Sequence, residues 1–151
     1  MKDLGELKYF LGIKFSTSKE GILMHQRKYS LELISELGLS TSKPAYTPIH
    51  TNLKLKTKEC DDHLKVSCIE DPLLPNLWLY QRLIGRLLYL TVTRPDIGFS
   101  GQTLSQYLQH PNKSHMEAAL KIVRYIKSQS GKGIFISSNP IQKMTAFCDA
   151  Y

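Results

Sequence analysis

One acidic residue near the end of the sequence has a setting suited to metal chemistry. Asp149 lies in the segment Ala146–Tyr151, whose pattern indicates a half-buried strand. A carboxylate on such a strand is typical of the first ligand in a metal-dependent nuclease core, which needs several further acidic residues. The sequence ends before any could follow. We therefore expect this region to be the opening strand of such a core, within a larger nucleic-acid enzyme.

A second acidic candidate is the pair Asp61-Asp62. Paired aspartates can hold two Mg²⁺ ions when a rigid apolar hairpin fixes them, but these two have polar neighbours on both sides. The nearby Cys60, His63 and Cys68 have a spacing similar to that of a zinc knuckle, yet structural zinc takes four ligands and no local fourth ligand follows. We predict a solvated acidic loop with free thiols and no metal site.

No nucleophilic centre stands out in the sequence. It contains neither a Gly-x-Ser-x-Gly elbow nor a glycine-rich phosphate loop. Four histidines lie near turns or helix starts without an evident Cys or Asp partner, so we predict solvated or capping roles for His25, His50, His110 and His115.

Basic residues are the strongest candidates for a binding surface. The net charge is +7, and it is uneven: residues 72–151 hold 9 Lys/Arg against 3 Asp/Glu, whereas residues 1–71 hold 11 against 10. A basic half favours a polyanionic partner, most often nucleic acid. The alternative is a solvated basic surface without a partner.

Five basic residues fall on predicted helices. Arg82 and Arg86 are separated by four positions, which places them side by side, and Lys121, Arg124 and Lys127 recur at steps of three. Helical Arg and Lys commonly contact phosphates without reading sequence. We predict that these five bind a nucleic-acid backbone; an ordinary solvated helix face is the alternative.

The residue pattern predicts an α+β fold in four parts. Residues 1–39 should form a β-hairpin, with strands over Lys8–Phe15 and Ile22–Met24, and a helix that ends at Gly38. Residues 40–77 have no period and predict a long irregular connection. Residues 133–151 predict a strand pair, Gly133–Ser137 with Thr145–Ala150.

Between these, residues 78–132 predict a bundle of three helices. Arg94-Pro95 should end the first helix, and Asp96 is the predicted cap of the second. Ser114 and Glu117 fit a capping box at the start of the third.

The composition excludes two classes of protein. No apolar run approaches the roughly 20 residues that span a bilayer, and the first residues do not form a signal peptide. Three cysteines fit an intracellular protein better than a disulfide scaffold.

Several long strings resemble the reverse transcriptase of copia-type retrotransposons, and they follow one another in the family's order. The connection from Lys54 to Asn76 is the part that the resemblance covers poorly. The strings are Met1–Ile13, Tyr80–Leu90, Thr93–Ile97, Leu104–Gln106, His115 with Ala118 and Ala119, Val123–Lys127, and Phe147–Ala150.

The resemblance implies a role for each part of the chain. Residues 1–39 would be the end of the palm, with Phe10, Leu11, Gly12 and Ile13 in the hairpin that grips the primer end. Residues 78–132 would be the thumb and connection. Residues 133–151 would open an RNase H domain, in which Asp149 matches the first metal-binding carboxylate. The polymerase aspartates would lie upstream of Met1, so we expect no complete catalytic site here.

The same resemblance implies partners and a cofactor. An RNA–DNA hybrid or a DNA duplex would be the ligand, the missing palm and RNase H segments of the polyprotein would be protein partners, and no membrane would be involved. Mg²⁺ is implied for the full-length enzyme, and we expect none in this segment. The location would be intracellular, in a cytoplasmic particle or the nucleus. Two alternatives remain open: a degenerate remnant that folds poorly, and a domesticated nucleic-acid-binding module.

Overall fold

An antiparallel sheet and a set of packed helices make up the part of the chain that the computed structural model describes, residues 7–50 and 71–139. This confirms the predicted α+β class. The four strands pair in chain order and are β1 Tyr9–Phe10, β2 Ile13–Ser18, β3 Gly21–His25 and β4 Ile134–Ser137. The helices are α1 Arg27–Glu36, α2 Leu77–Leu90, α3 Gly98–Ser105 and α4 Lys113–Ser128, with a 3-10 turn at Pro95–Ile97 before α3.

The first strand is not continuous, which corrects the prediction of one strand over Lys8–Phe15. A two-residue turn at Leu11 and Gly12 separates β1 from β2, and Phe10 pairs with Ile13 across it. Both turn residues have positive φ, 46° and 73°, as the tight hairpin turns that match strand twist require. Asn-Gly is the usual dipeptide of this turn. Because Leu11-Gly12 fits the alternating pattern of a strand, the sequence predicted a continuous strand here.

The last described strand returns to the N-terminal hairpin. β4 runs antiparallel to β3, with Met24 opposite Ile134. The two backbones approach so closely that a Cβ on Gly133 would overlap the Met24 carbonyl oxygen. This pairing was not predicted, because nothing local in either strand specifies so distant a partner. Its predicted partner, Thr145–Ala150, lies outside the described residues, as do Asp149, Asp61-Asp62, Cys60, His63 and Cys68.

The end of α1 confirms the predicted glycine cap. Gly38 has a φ of 65°, and its N–H donates to the Ser35 carbonyl at 3.0 Å. The N–H of Leu39 donates to the Ile34 carbonyl at 3.0 Å. These two bonds satisfy carbonyls that would otherwise lack a partner at the helix end. They also fix the direction in which the connection leaves α1.

The core lies among the four helices. Tyr80 is fully buried, and its hydroxyl donates to the Leu104 carbonyl at 2.8 Å, which joins α2 to α3. Burying each large apolar side chain contributes about 1.5–3 kcal/mol, so this core fixes the outward faces that carry the basic residues. Its other buried members are Leu33, Ile34, Leu83, Ile84, Leu87, Leu90, Ile97, Leu104, Ala118, Ala119, Ile122, Val123 and Ile126.

Asp96 does not cap α3, so that prediction was wrong. The residue before α3 is Ile97, and it makes no side-chain cap bond. Asp96 instead accepts two hydrogen bonds of 2.9 Å from the guanidinium of Arg94, which is 1% exposed. It also accepts from the Tyr125 hydroxyl and from Lys132. Burial alone would raise the pKa of Asp96, but the bonds from Arg94 and Tyr125 hold it well below its ordinary value.

The start of α4 lies slightly earlier than predicted and uses different residues. The Asn112 backbone N–H donates to His115 Nδ1 at 2.8 Å, so the capping box consists of Asn112 and His115. Ser114 donates from its N–H and its hydroxyl to Asp71 instead. The capping role predicted for His115 is confirmed. Its ring is buried and stacks on Tyr107 at 4.1 Å. Burial lowers the pKa of His115, and the charge of Asp71 opposes this shift.

Candidate nucleic-acid interface

The predicted pair on α2 lies against an acidic residue at the end of α1. Arg82 and Arg86 both contact the same carboxylate oxygen of Glu36, Arg82 at 3.4 Å. Their spacing of four residues on one helix makes this possible, as predicted. Half of the Arg82 side chain is exposed (52%), whereas only 17% of Arg86 is. Arg82 is therefore the more accessible cation of the two.

Arg86 has a further partner in α1. Its Nε donates to the Tyr29 hydroxyl at 3.3 Å, and its guanidinium lies 5.1 Å from the centre of the Tyr29 ring. Burial would lower the pKa of Arg86, but the hydrogen bonds with Tyr29 and Glu36 raise it above its ordinary value. Arg86 thus connects α1 to α2.

The tip of the first hairpin is attached to the same network. The Tyr89 hydroxyl on α2 donates to the Leu11 carbonyl, and the Tyr89 ring meets Tyr29 edge-on at 5.2 Å. The predicted grip residues Phe10 and Leu11 remain exposed, at 56% and 69%. A continuous surface therefore runs from the hairpin tip through the two tyrosines to the arginine pair. No sequence pattern predicts this role of Tyr29, Tyr89 or Glu36, although Tyr89 lies in one of the family strings.

Lys127 has a different environment. Its Nζ donates to the backbone carbonyls of Leu39, Ser40 and Ser42, at 3.2, 2.6 and 2.7 Å. An ammonium group has three donors, and all of them are used here. Lys127 therefore holds the start of the connection against α4, which leaves it little capacity to bind phosphate.

Lys121 and Arg124 line a cleft on α4. The cleft has a volume of about 180 Å³, and its other side is formed by Ile49 and His50. Within residues 7–50 and 71–139, neither cation has a hydrogen-bond or ion-pair partner. Burial, and then the charge of Arg124, lower the pKa of Lys121. The five predicted residues thus occupy three surroundings: the Glu36 pair, the carbonyl-bound Lys127 and this cleft.

Metal ligands do not gather in the described part of the chain. Across residues 7–50 and 71–139, no group of three or more His, Cys, Asp and Glu side chains could hold an ion. Asp149, which the resemblance matches to a metal-binding carboxylate, lies outside these residues. The same stretches contain no helix both long enough and apolar enough to cross a bilayer.

Comparison with known proteins gives three informative relatives. An uncharacterised mitochondrial protein of Arabidopsis thaliana is 30% identical over 99% of the chain, which spans 58% of that protein. The retrovirus-related Pol polyprotein from transposon RE1 of the same plant is 33% identical over 99% of the chain, which spans 10% of it. The corresponding polyprotein from transposon TNT 1-94 of Nicotiana tabacum is 33% identical over 95% of the chain, which spans 11% of it. No protein-family model and no solved structure matches.

Proposed function

Because the chain is a relative of the Pol polyproteins of copia-type retrotransposons, we propose that it supplies the part of a reverse transcriptase that holds the template–primer duplex. The observation that carries this proposal is the continuous surface from the hairpin tip to the arginine pair. Tyr89 contacts Leu11 and Tyr29, Tyr29 contacts Arg86, and Arg86 shares the Glu36 carboxylate with Arg82. The hairpin would hold the end of the primer strand, and Arg82 would contact the sugar–phosphate backbone of the duplex.

The side chains on this surface suit a nucleic acid. The guanidinium of Arg82 lies 5.2 Å from the centre of the Trp78 ring, and Trp78 is 60% exposed. Exposed aromatic rings can stack on bases, and a half-exposed guanidinium can contact phosphates. Neither type of contact reads sequence. We therefore propose binding that depends weakly on sequence and steeply on salt.

Fluorescence anisotropy with a labelled RNA–DNA hybrid tests this function. We expect binding at low salt that weakens as salt is added, and we expect Arg82→Gln to reduce the slope of log K against log [salt] by about one phosphate's contribution, roughly 0.9. Lys28→Gln is the matched control, because Lys28 is an exposed lysine on α1 whose one ion-pair partner among residues 7–50 and 71–139 is Glu32, at 3.9 Å. Absence of binding by the folded wild-type protein would contradict the proposal.

We also propose that this segment alone synthesises no DNA, and that its catalytic partners are the palm and RNase H segments of the same polyprotein. The Mg²⁺ of those segments would be bound outside the residues described here. Incubation with primed template, nucleotides and Mg²⁺ tests this directly, and detectable primer extension would overturn it. An intracellular location, in a cytoplasmic particle or the nucleus, belongs to the same proposal.

A further inference from the structure

The cleft on α4 holds two basic side chains that form no ion pair and no side-chain hydrogen bond within the described part of the chain. Lys121 and Arg124 are three residues apart and so lie on one face of the helix. Like charges at this spacing repel each other, and neither side chain forms an ion pair or a hydrogen bond among residues 7–50 and 71–139. An anion placed between them would relieve this repulsion.

The facing wall of the cleft is fixed by contacts of the protein itself. The Ala45 N–H donates to the Arg124 carbonyl at 3.2 Å. Lys127 holds three earlier carbonyls of the same segment, as described above. These bonds hold residues 39–45 against α4. The same segment continues to Ile49 and His50, which line the cleft together with the two cations. Because the two walls are already joined, little ordering is needed when a ligand binds.

The charge and volume of the cleft indicate what would fit. Glu117 also lines it, so the two cations and this carboxylate leave a formal charge of +1. This balances the single negative charge of a phosphodiester. The volume of about 180 Å³ is below the roughly 300–1,000 Å³ of pockets that enclose whole drug-sized ligands. A guanidinium can bind two phosphate oxygens at once, and an ammonium adds a point charge.

We propose that this cleft binds one phosphate group of a nucleic-acid strand, held jointly by Lys121 and Arg124. This inference rests on the proposed function and deepens it, because it assigns α4 a phosphate contact of its own, distinct from the hairpin tip and Arg82. Its distinctive feature is that two cations share one phosphate. Two cations on an open helix face would instead contact two phosphates.

The salt dependence of DNA-duplex binding separates these arrangements. Each phosphate contact contributes about 0.9 to the slope of log K against log [salt]. We expect Lys121→Gln, Arg124→Gln and the double variant all to reduce the slope by about the same 0.9. The double variant Lys19→Gln/Lys28→Gln removes the same charge from the exposed surface and should leave the slope unchanged. A reduction of about 1.8 in the Lys121/Arg124 double variant would overturn the shared-phosphate arrangement. No reduction at all would overturn the site while leaving duplex binding by the wild type, and thus the proposed function, intact.

A second measurement tests the cleft without a duplex. Inorganic phosphate is titrated into the labelled protein at constant ionic strength, and the backbone amide NMR signals of His50, Lys121 and Arg124 are followed. We expect saturable shifts in the wild type and none in the folded double variant. If the wild type shows no shifts, the site is absent. If phosphate binds but no duplex does, both the proposed function and the assignment to a nucleic-acid strand fail, and a site for a free anion remains.

Discussion

Two groups of basic side chains on this protein have opposite environments. Arg86, Arg94 and Lys127 are enclosed by carboxylates or carbonyls and hold separate elements together. Lys121 and Arg124 face a cleft and have no such partner within residues 7–50 and 71–139. In the sequence the two groups look alike, since each belongs to an amphipathic or turn segment. The difference shows that a charged residue's availability for binding is decided by its tertiary neighbours.

The largest difference between the groups should be seen on truncating Arg94. We expect Arg94→Met to lower the free energy of unfolding by about 3–5 kcal/mol, because it leaves the Asp96 carboxylate partly buried without its main partner. Urea unfolding followed by circular dichroism measures this. Arg124→Met is the matched control and should change stability by less than about 0.5 kcal/mol. Equal effects of the two substitutions would show that the enclosed Arg94 contributes no more to stability than the open Arg124.

Replacing Lys127 should have a moderate effect on the free energy of unfolding. Lys127→Met removes three hydrogen bonds to backbone carbonyls and should destabilise the protein by about 1–3 kcal/mol. Lys121→Met, on the same helix, should be close to neutral. The same unfolding experiment compares the two. A cooperative transition in the wild type would also contradict the alternative of a poorly folding remnant.

The sequence predicts those features of the fold that local pattern determines. The three helices predicted within residues 78–132 and the glycine cap at Gly38 follow from local sequence pattern and backbone conformation, and the structure confirms them. The pairing of β4 with β3 depends on residues far apart in the chain and has no local signature. The turn at Leu11 and Gly12 likewise lacks the Asn-Gly dipeptide that usually identifies such a turn.

The sequence identifies the basic residues of the candidate site. It predicts only part of their arrangement, because it does not show which partners they contact. The adjacency of Arg82 and Arg86 follows from helix geometry. Their shared partner Glu36 does not, because it comes from another helix. The three carbonyls that bind Lys127 have no signature at all, since every residue carries a carbonyl. Whether the five residues bind nucleic acid stays a prediction.

A smaller effect on stability, which depends on pH, is expected at His115. The pKa of His115 is lowered in the folded state, so the unfolded chain binds the proton more readily. Stability should therefore be full above the ordinary histidine pKa of about 6.5 and should fall as the pH drops from there toward the lowered value. Unfolding of wild type and His115→Asn at pH 7.5 and 5.5 (about one unit either side of that pKa) measures this. We expect the difference in stability between the two pH values to be smaller in His115→Asn than in the wild type, and an equal difference in both proteins would contradict this prediction.

The smallest expected effect concerns Glu36, which occupies both arginines of the α2 pair. Glu36→Gln keeps the size of the side chain but removes the charge, so Arg82 and Arg86 become available to phosphate. Because exposed ion pairs contribute about 0.2–1 kcal/mol, we expect hybrid binding to tighten by about 1.4- to fivefold. Glu32→Gln removes an equivalent charge from the exposed pair with Lys28 and serves as the control. If both variants tighten binding equally, only net charge matters. If Glu36→Gln weakens binding, its carboxylate is needed to position the arginines, and the α2 pair then resembles Lys127 more than the open cleft.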